Sequence, residues 1–264
     1  ERFATRLEEI SGGRITVRFH AAGELVPPFE SFDAVAQGTA DLAHATPYYW
    51  TGKAPALHYF TGVPFGLTAT EFAAWLDFGG GQALWDEVTL PLGVRAFYAG
   101  SSGTQAGGWF NKEINTLDDF KGLKFRIAGL GGEVLKRLGV ATVLTPPGEI
   151  TPSLASGAVD GADWVGPWND IAFGLHRFAK YYYMPGFHEP GPSLEILVNE
   201  ETYQGLPQDL RAAVRAAARA TALETTSDFA FHNIEARKSV GQGKSVDLGG
   251  RRMVKQNIAG RAFY

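Results

Sequence analysis

Apolar positions recur along the chain at two spacings, and the spacing assigns most of the elements. Phe3, Leu7 and Ile10 fall on one helical face, and Ser11-Gly12-Gly13 stops that helix. Residues 14–20, Arg-Ile-Thr-Val-Arg-Phe-His, alternate with period two and are rich in β-branched side chains, which predicts a strand. Pro27-Pro28 opens a second helix through Ala36, ended at Gly38. Residues 41–45 form a small-residue strand that runs into the aromatic group Tyr48-Tyr49-Trp50. The order helix, strand, helix, strand predicts a parallel sheet flanked by helices.

Thr68 or Thr70 caps a helix carrying Phe72, Trp75, Leu76 and Phe78. Strands are expected at 94–99, 106–110, 123–127, 141–144 and 158–164. A short helical turn at 117–122, a helix at 130–138 closed by Gly139 and another at 147–156 lie among them. Residues 122–165 thus read as a β-α-β-α-β run. A strand at 194–198 precedes a long helix of Ala and Arg from 207 to about 236. The economical reading is an α/β fold of two lobes. Residues 1–100 form lobe I and 101–190 lobe II, with return crossings to lobe I. Residues 191–264 supply a hinge strand, the long helix and a C-terminal segment.

Charge and composition narrow the function classes. With 24 basic and 28 acidic side chains the net charge is −4, which leaves no electrostatic footprint for nucleic acid or an anionic membrane. No apolar run approaches the roughly 20 residues of a membrane span. The chain begins at Glu1, inside a helix, and is expected to be a mature or truncated form whose targeting segment is gone. Absence of cysteine removes disulfides, thiolate metal sites and a Cys nucleophile.

Several motifs invite chemistry and fail on inspection. Gly129-Leu-Gly131-Gly132 follows a strand and opens a helix, but Val134 stands where a dinucleotide fingerprint needs its third glycine. No two of the six histidines have the i, i+4 spacing of a helical zinc site, so each reads as a core or surface residue. Ser101 and Ser102 lack the Gly-x-Ser-x-Gly elbow of a nucleophilic hydrolase.

Three places carry more weight. Arg126 closes the strand Leu-Lys-Phe-Arg-Ile at the end where open α/β sheets bind ligands, and its planar fork suits a carboxylate. The bland alternative is a surface arginine. Asp163-Trp164-Val-Gly-Pro-Trp168-Asn169 sets a carboxylate, an amide and two indoles at another strand end. His188-Glu189-Pro190-Gly191-Pro192 is a rigid turn holding a second acid. Asp163 and Glu189 together would suit a hard cation such as Na⁺ or Ca²⁺; singly, each reads as a solvated turn residue.

Taken with their neighbours, these segments resemble one family. Phe120-Lys-Gly-Leu-Lys-Phe-Arg126, the following Gly-Leu-Gly-Gly-Glu133, Pro147-Gly-Glu-Ile and Leu154-Ala-Ser-Gly-Ala-Val-Asp160-Gly-Ala-Asp-Trp164 are similar to the substrate-binding proteins of tripartite ATP-independent periplasmic (TRAP) transporters. So are Gln37-Gly-Thr-Ala-Asp41-Leu-Ala-His44 and Ala45-Thr-Pro-Tyr-Tyr-Trp50. The likeness covers residues 1–235 or so and is greatest to members that bind 2-oxo or 2-hydroxy monocarboxylates with a metal ion.

The resemblance implies a two-lobed, periplasmic-binding-protein-like fold and a site without catalytic residues. Arg126 would clamp the ligand carboxylate and Asn169 would hydrogen-bond the ligand. Gln105, Asp163, the Trp164 carbonyl and Glu189 would hold one cation, Ca²⁺ or Na⁺, with Gln105 also beside the ligand. Tyr48, Tyr49, Phe65 and Trp168 would wall the site. The implied setting is the periplasm, with hinge closure around the ligand and delivery to TRAP membrane permease subunits. Some members form a homodimer through further C-terminal helices; residues 238–264 here are Gly-rich and basic without an apolar period. Two other classes share the pattern: an enzyme using Asp163 or Glu189 as a general base, and a ligand sensor.

Overall fold

Helix α1 (Arg2–Ser11) forms where the apolar spacing places it and ends at Gly12, whose φ of 64° lies in the left-handed region. This is a computed structural model, and it describes residues 1–241, with side chains to residue 237. The expectation for the Gly-rich tail therefore lies, from residue 242, outside the described residues. The chain divides into two compact units. Glu1–Gly62, Leu67–Gly103 and Gly191–Asp228 form the first; Val63–Gly66, Thr104–Pro190 and the chain from Phe229 form the second.

In the first unit, α2 (Ser31–Ala36) follows a short 3-10 turn and leads to β1 (Leu42–Ala45). The predicted Thr68 cap is a full capping box with Glu71 and starts α3 (Ala69–Phe78). Helix α4 (Gly81–Thr89), absent from the sequence reading, precedes β2 (Val94–Ser101). The sheet is not parallel as expected. β8 (Ser193–Asn199) lies between β1 and β2 and runs antiparallel to both. The expectation assumed that successive strands pair, whereas the central strand returns from much later in the chain.

The strand expected at 14–20 is also corrected, since these residues join no ladder. Ile15 and Val17 still pack against the core made by Leu7, Ile196, Val214 and Ala217. Alternation records which side chains face the core; a strand also needs a paired neighbour. α8 (Glu200–Gly205) is capped by Asn199, and α9 (Gln208–Gly241) is the long helix. It passes close to β2 at Gly100 (φ 110°), where a Cβ would meet the Ala222 carbonyl at 2.8 Å.

The second unit holds a mixed sheet in the order β5 (Ala141–Val143), β4 (Lys124–Arg126), β6 (Gly161–Ala162), β3 (Gly108–Phe110), β7 (Tyr181–Tyr183). The strand expected at 158–164 shrinks to two residues. β4 is parallel to β5 and β6, because α5 (Gly129–Arg137) and α6 (Pro147–Ser156) serve as crossovers. Successive residues of β3 face opposite ways: Trp109 packs with Ile150, Leu154 and Tyr182, and Phe110 with Phe125, Leu135 and Tyr183. The register Arg126↔Ala162 sets the C-terminal ends of β4 and β6 side by side. Arg126 and Asp163 therefore emerge next to each other. Among the described residues, no helix is long and apolar enough to cross a membrane.

Candidate functional site

Gln105, Arg126, Asp163, Trp164, Asn169 and Glu189 all lie in the second unit; Arg126 ends β4, and three short segments carry the others. Residues 105–107, just before β3, tie the other two together. Gln105 N–H donates to the Glu189 carbonyl (3.0 Å), Ala106 N–H to Val165 (2.9 Å) and Gly107 N–H to Tyr183 (2.8 Å). Gly186 N–H in turn donates to the Gln105 carbonyl (2.7 Å). The segment after β6 and the turn holding Glu189 are thus bonded to one crosspiece.

Arg126 is 1 % exposed, so it is no surface arginine. Its Nη1 donates to the Asp163 carbonyl at 2.7 Å, and Nε and Nη2 donate to the Thr145 carbonyl at 3.4 and 3.2 Å. Three of five N–H donors are committed this way, leaving two for another acceptor. Its guanidinium carbon lies 5.6 Å from the centre of the Trp164 ring.

Asp163, His188 and Glu189 are buried, and each offers a ligand atom within 4.8 Å of the others. His188 Nε2 stands 3.3 Å from Asp163 Oδ1, without the alignment of a hydrogen bond. Asp163 Oδ1, Glu189 Oε2 and both His188 ring nitrogens have no hydrogen-bond partner among the described residues. Buried polar atoms are rarely left so. Burial pushes the Glu189 carboxyl up to about 8; Asp163 adds to the rise, and His188 and Arg126 oppose it. For His188, burial lowers the imidazolium's pKa, but Asp163 and then Glu189 raise it, and the net shift is upward. A cation would answer both the unpaired oxygens and the acid–acid repulsion, and carboxylate oxygens suit a hard ion. The residues present fit a metal.

The remaining candidates are distributed unevenly. Asn169, in α7 (Pro167–Ala172), has a buried Oδ1 without a hydrogen-bond partner among the described residues. Trp168 stacks on His232 at 4.3 Å. Phe65 is 80 % exposed with φ 56°, and its N–H donates to Phe187, one residue before His188. Tyr48 and Tyr49 belong to the first unit, where they pack edge-on at 4.9 Å.

Sequence reasoning missed His188 and Asp170. Every histidine read as a bland residue, although adjacency to Glu189 was a usable signal. The His188 ring fits because Gly131 and Gly186 approach it: a Cβ on Gly131 would meet the His188 Cβ at 2.6 Å, and one on Gly186 would meet its Cε1 at 3.0 Å. Asp170, in α7, is fully buried; it accepts from Val165 N–H (3.0 Å) and Trp109 Nε1 (3.1 Å). Burial pushes its carboxyl up to about 7.

Comparison with known proteins gives the site a family. The monocarboxylate 2-oxoacid-binding periplasmic protein all3028 of Nostoc sp. is 47 % identical over 217 residues, 82 % of this chain and 60 % of that protein. The chain spans about three fifths of the length of the curated relatives it matches. A TRAP periplasmic solute-binding protein from Pseudoalteromonas atlantica, solved with sodium and pyruvate, superposes with a TM-score of 0.90 at 37 % identity. The match covers 96 % of this chain and 75 % of that one. One from Colwellia psychrerythraea, solved with calcium and pyruvate, gives 0.90 at 37 %, covering 97 % and 77 %. The fold is thus that of the TRAP solute-binding proteins, as the motifs implied. With residues 1–248 matching its family model, the chain belongs to the bacterial extracellular solute-binding proteins, family 7.

Proposed function

We propose that this chain captures a small 2-oxo or 2-hydroxy monocarboxylate, of the pyruvate or lactate class, together with one Ca²⁺ or Na⁺. It acts in the periplasm and delivers its ligand to TRAP membrane permease subunits. The observation that carries the reading is the buried Asp163–Glu189 pair, with unpaired oxygens, beside the two uncommitted N–H donors of Arg126. Asp163, Glu189, the Trp164 carbonyl and Gln105 would hold the ion. Arg126 would take the ligand carboxylate, Asn169 a second ligand oxygen, and Tyr48, Tyr49, Phe65 and Trp168 its surroundings.

Charge explains the need for an ion. With both acids ionised, Asp163 and Glu189 contribute −2, the ligand −1 and Arg126 +1, which sums to −2 in a buried site that tolerates net charge poorly. Ca²⁺ brings the sum to 0 and Na⁺ to −1. An ion shared by the carboxylate and the adjacent oxo or hydroxy oxygen selects such acids over plain fatty acids. No bond is made or broken. The relatives named above for 2-oxoacid binding, or solved with pyruvate and sodium or calcium, support the ligand class.

The test is calorimetric titration of pyruvate into chelator-treated protein, with neither ion, with Na⁺ and with Ca²⁺. Binding only in the presence of an ion, and pyruvate recovered unchanged by NMR, is the expected result. Equal binding in ion-free buffer would remove the metal, and consumption of pyruvate would favour an enzyme.

A further inference from the structure

A carboxylate buried without a cationic partner weakens a fold unless its hydrogen bonds do something for it. Asp170 is such a group. It is 0 % exposed, and no lysine or arginine forms an ion pair with it among the described residues. Its two oxygens accept from two donors of different origin: Oδ1 from the Val165 backbone N–H and Oδ2 from the Trp109 indole. An asparagine has one acceptor oxygen and would leave one donor facing an NH₂. Trp109 is itself held on β3, stacked on Tyr182 at 4.2 Å.

The backbone around Trp164 shows what this arrangement does. Asp163 N–H donates to the Arg126 carbonyl (2.8 Å), and the Asp163 carbonyl accepts from Arg126 Nη1 (2.7 Å). On the other side, the Val165 carbonyl accepts from Ala106 N–H (2.9 Å) and Val165 N–H donates to Asp170. Each peptide group that flanks Trp164 is thus held by one side chain, the Asp163–Trp164 unit by Arg126 and the Trp164–Val165 unit by Asp170, and the units beyond them are held by backbone bonds. The Trp164 carbonyl accepts none of these bonds. It belongs to the same peptide unit as Val165 N–H, so the Asp170 bond fixes the orientation of that plane, and with it the direction in which the carbonyl points.

We propose that Asp170, braced by Trp109, is a positioning residue that aims the Trp164 carbonyl at the bound cation. The inference rests on the proposed function, in which that carbonyl is an ion ligand. Removing an outer group of this kind typically weakens metal binding by about 10- to 100-fold.

Europium(III), a luminescent substitute for Ca²⁺, tests it, because its excited-state lifetime in H₂O and D₂O counts the waters on the ion. Three proteins are compared: the parent, Asp170→Asn, and Leu154→Ala, which removes a side chain packed in the same core as Trp109. Asp170→Asn should bind Eu³⁺ with an additional coordinated water, and Ca²⁺ about tenfold more weakly. Leu154→Ala should lose thermal stability while keeping the parental water count. A parental count in Asp170→Asn, or the same increase in Leu154→Ala, overturns the proposal. Should Asp170→Asn not fold, Trp109→Phe takes its place: an increased count supports the proposal and an unchanged one refutes it. A parent that binds neither Eu³⁺ nor Ca²⁺ overturns the metal reading itself. A parent that binds pyruvate with Ca²⁺, beside an indifferent Asp170→Asn, sinks only this inference.

Discussion

Nη1 of Arg126 donates to the backbone carbonyl of Asp163 at 2.7 Å, so the side chain proposed to hold an anion also fixes the acid proposed to hold a cation. The two halves of the site are mechanically one. Replacing Arg126 should therefore disturb ion binding as well as ligand binding.

Arg126→Ala is expected to weaken pyruvate binding in Ca²⁺ by about 30-fold to several thousand-fold, since truncating one member of a buried charged pair costs about 2–5 kcal/mol. Arg126→Lys should also bind poorly, because an ammonium cannot reproduce a fork that already serves two carbonyls. Calorimetry decides the matter. An affinity for Arg126→Ala within about threefold of the parent would contradict the assigned role.

Ion choice should follow carboxylate charge. Asp163→Asn lowers the negative charge facing the ion and is expected to weaken Ca²⁺ more than Na⁺. Competition between the two ions, followed by titration of pyruvate at fixed ionic strength, measures the ratio. A ratio unchanged from the parent would place Asp163 outside the ion's coordination.

Gly131 leaves no room for a side chain beneath His188, where an added Cβ would come within 2.6 Å of the histidine Cβ. Gly131→Ala should push the Glu189 turn away from Asp163. Overpacking of this sort typically costs about 1–3 kcal/mol of stability. Ca²⁺ affinity should fall with it, which isothermal titration and thermal melts on one sample can compare. Full affinity in a destabilised variant would show that the turn adjusts without moving Glu189.

A separate acid governs the pH dependence of the first unit. Glu195 is fully buried, its Oε1 accepts from Trp50 Nε1 at 2.7 Å, and burial pushes its carboxyl from 4.5 up to about 8. Between those values the folded chain keeps a proton that the unfolded chain has released. Stability therefore falls as pH rises through that window, by about 1.4 kcal/mol per pH unit for one proton, and levels off above it. Glu195→Gln keeps an acceptor for Trp50 and removes the proton. Urea unfolding from about pH 5 to pH 8 should show a shallower decline in the variant than in the parent. Parallel curves would mean that Glu195 ionises normally.

Local pattern was enough for much of this protein. The stops at Gly12, Gly38 and Gly139, the Thr68 cap and the crossover helices α5 and α6 follow from periodicity and turn chemistry, which act over a few residues. Arg126 and Asp163 were legible as strand-end residues, because parallel strands joined by crossovers present their C-terminal ends together. Glu189 stood out by its rigid proline-flanked turn.

What the pattern could not contain is the identity of distant partners. The first sheet is antiparallel because β8 inserts between β1 and β2, and nothing within residues 1–100 announces a strand from 193–199. His188 acquires its place only when α5 brings Gly131 against it, and Asp170 is an ordinary acid of a helix's first turn until Trp109 covers it. Hydrogen-bond partners and desolvation are set by groups far apart in the chain. They give an acid on a turn the surroundings of a candidate ion ligand or of the proposed brace, and that change of character belongs to the tertiary structure alone.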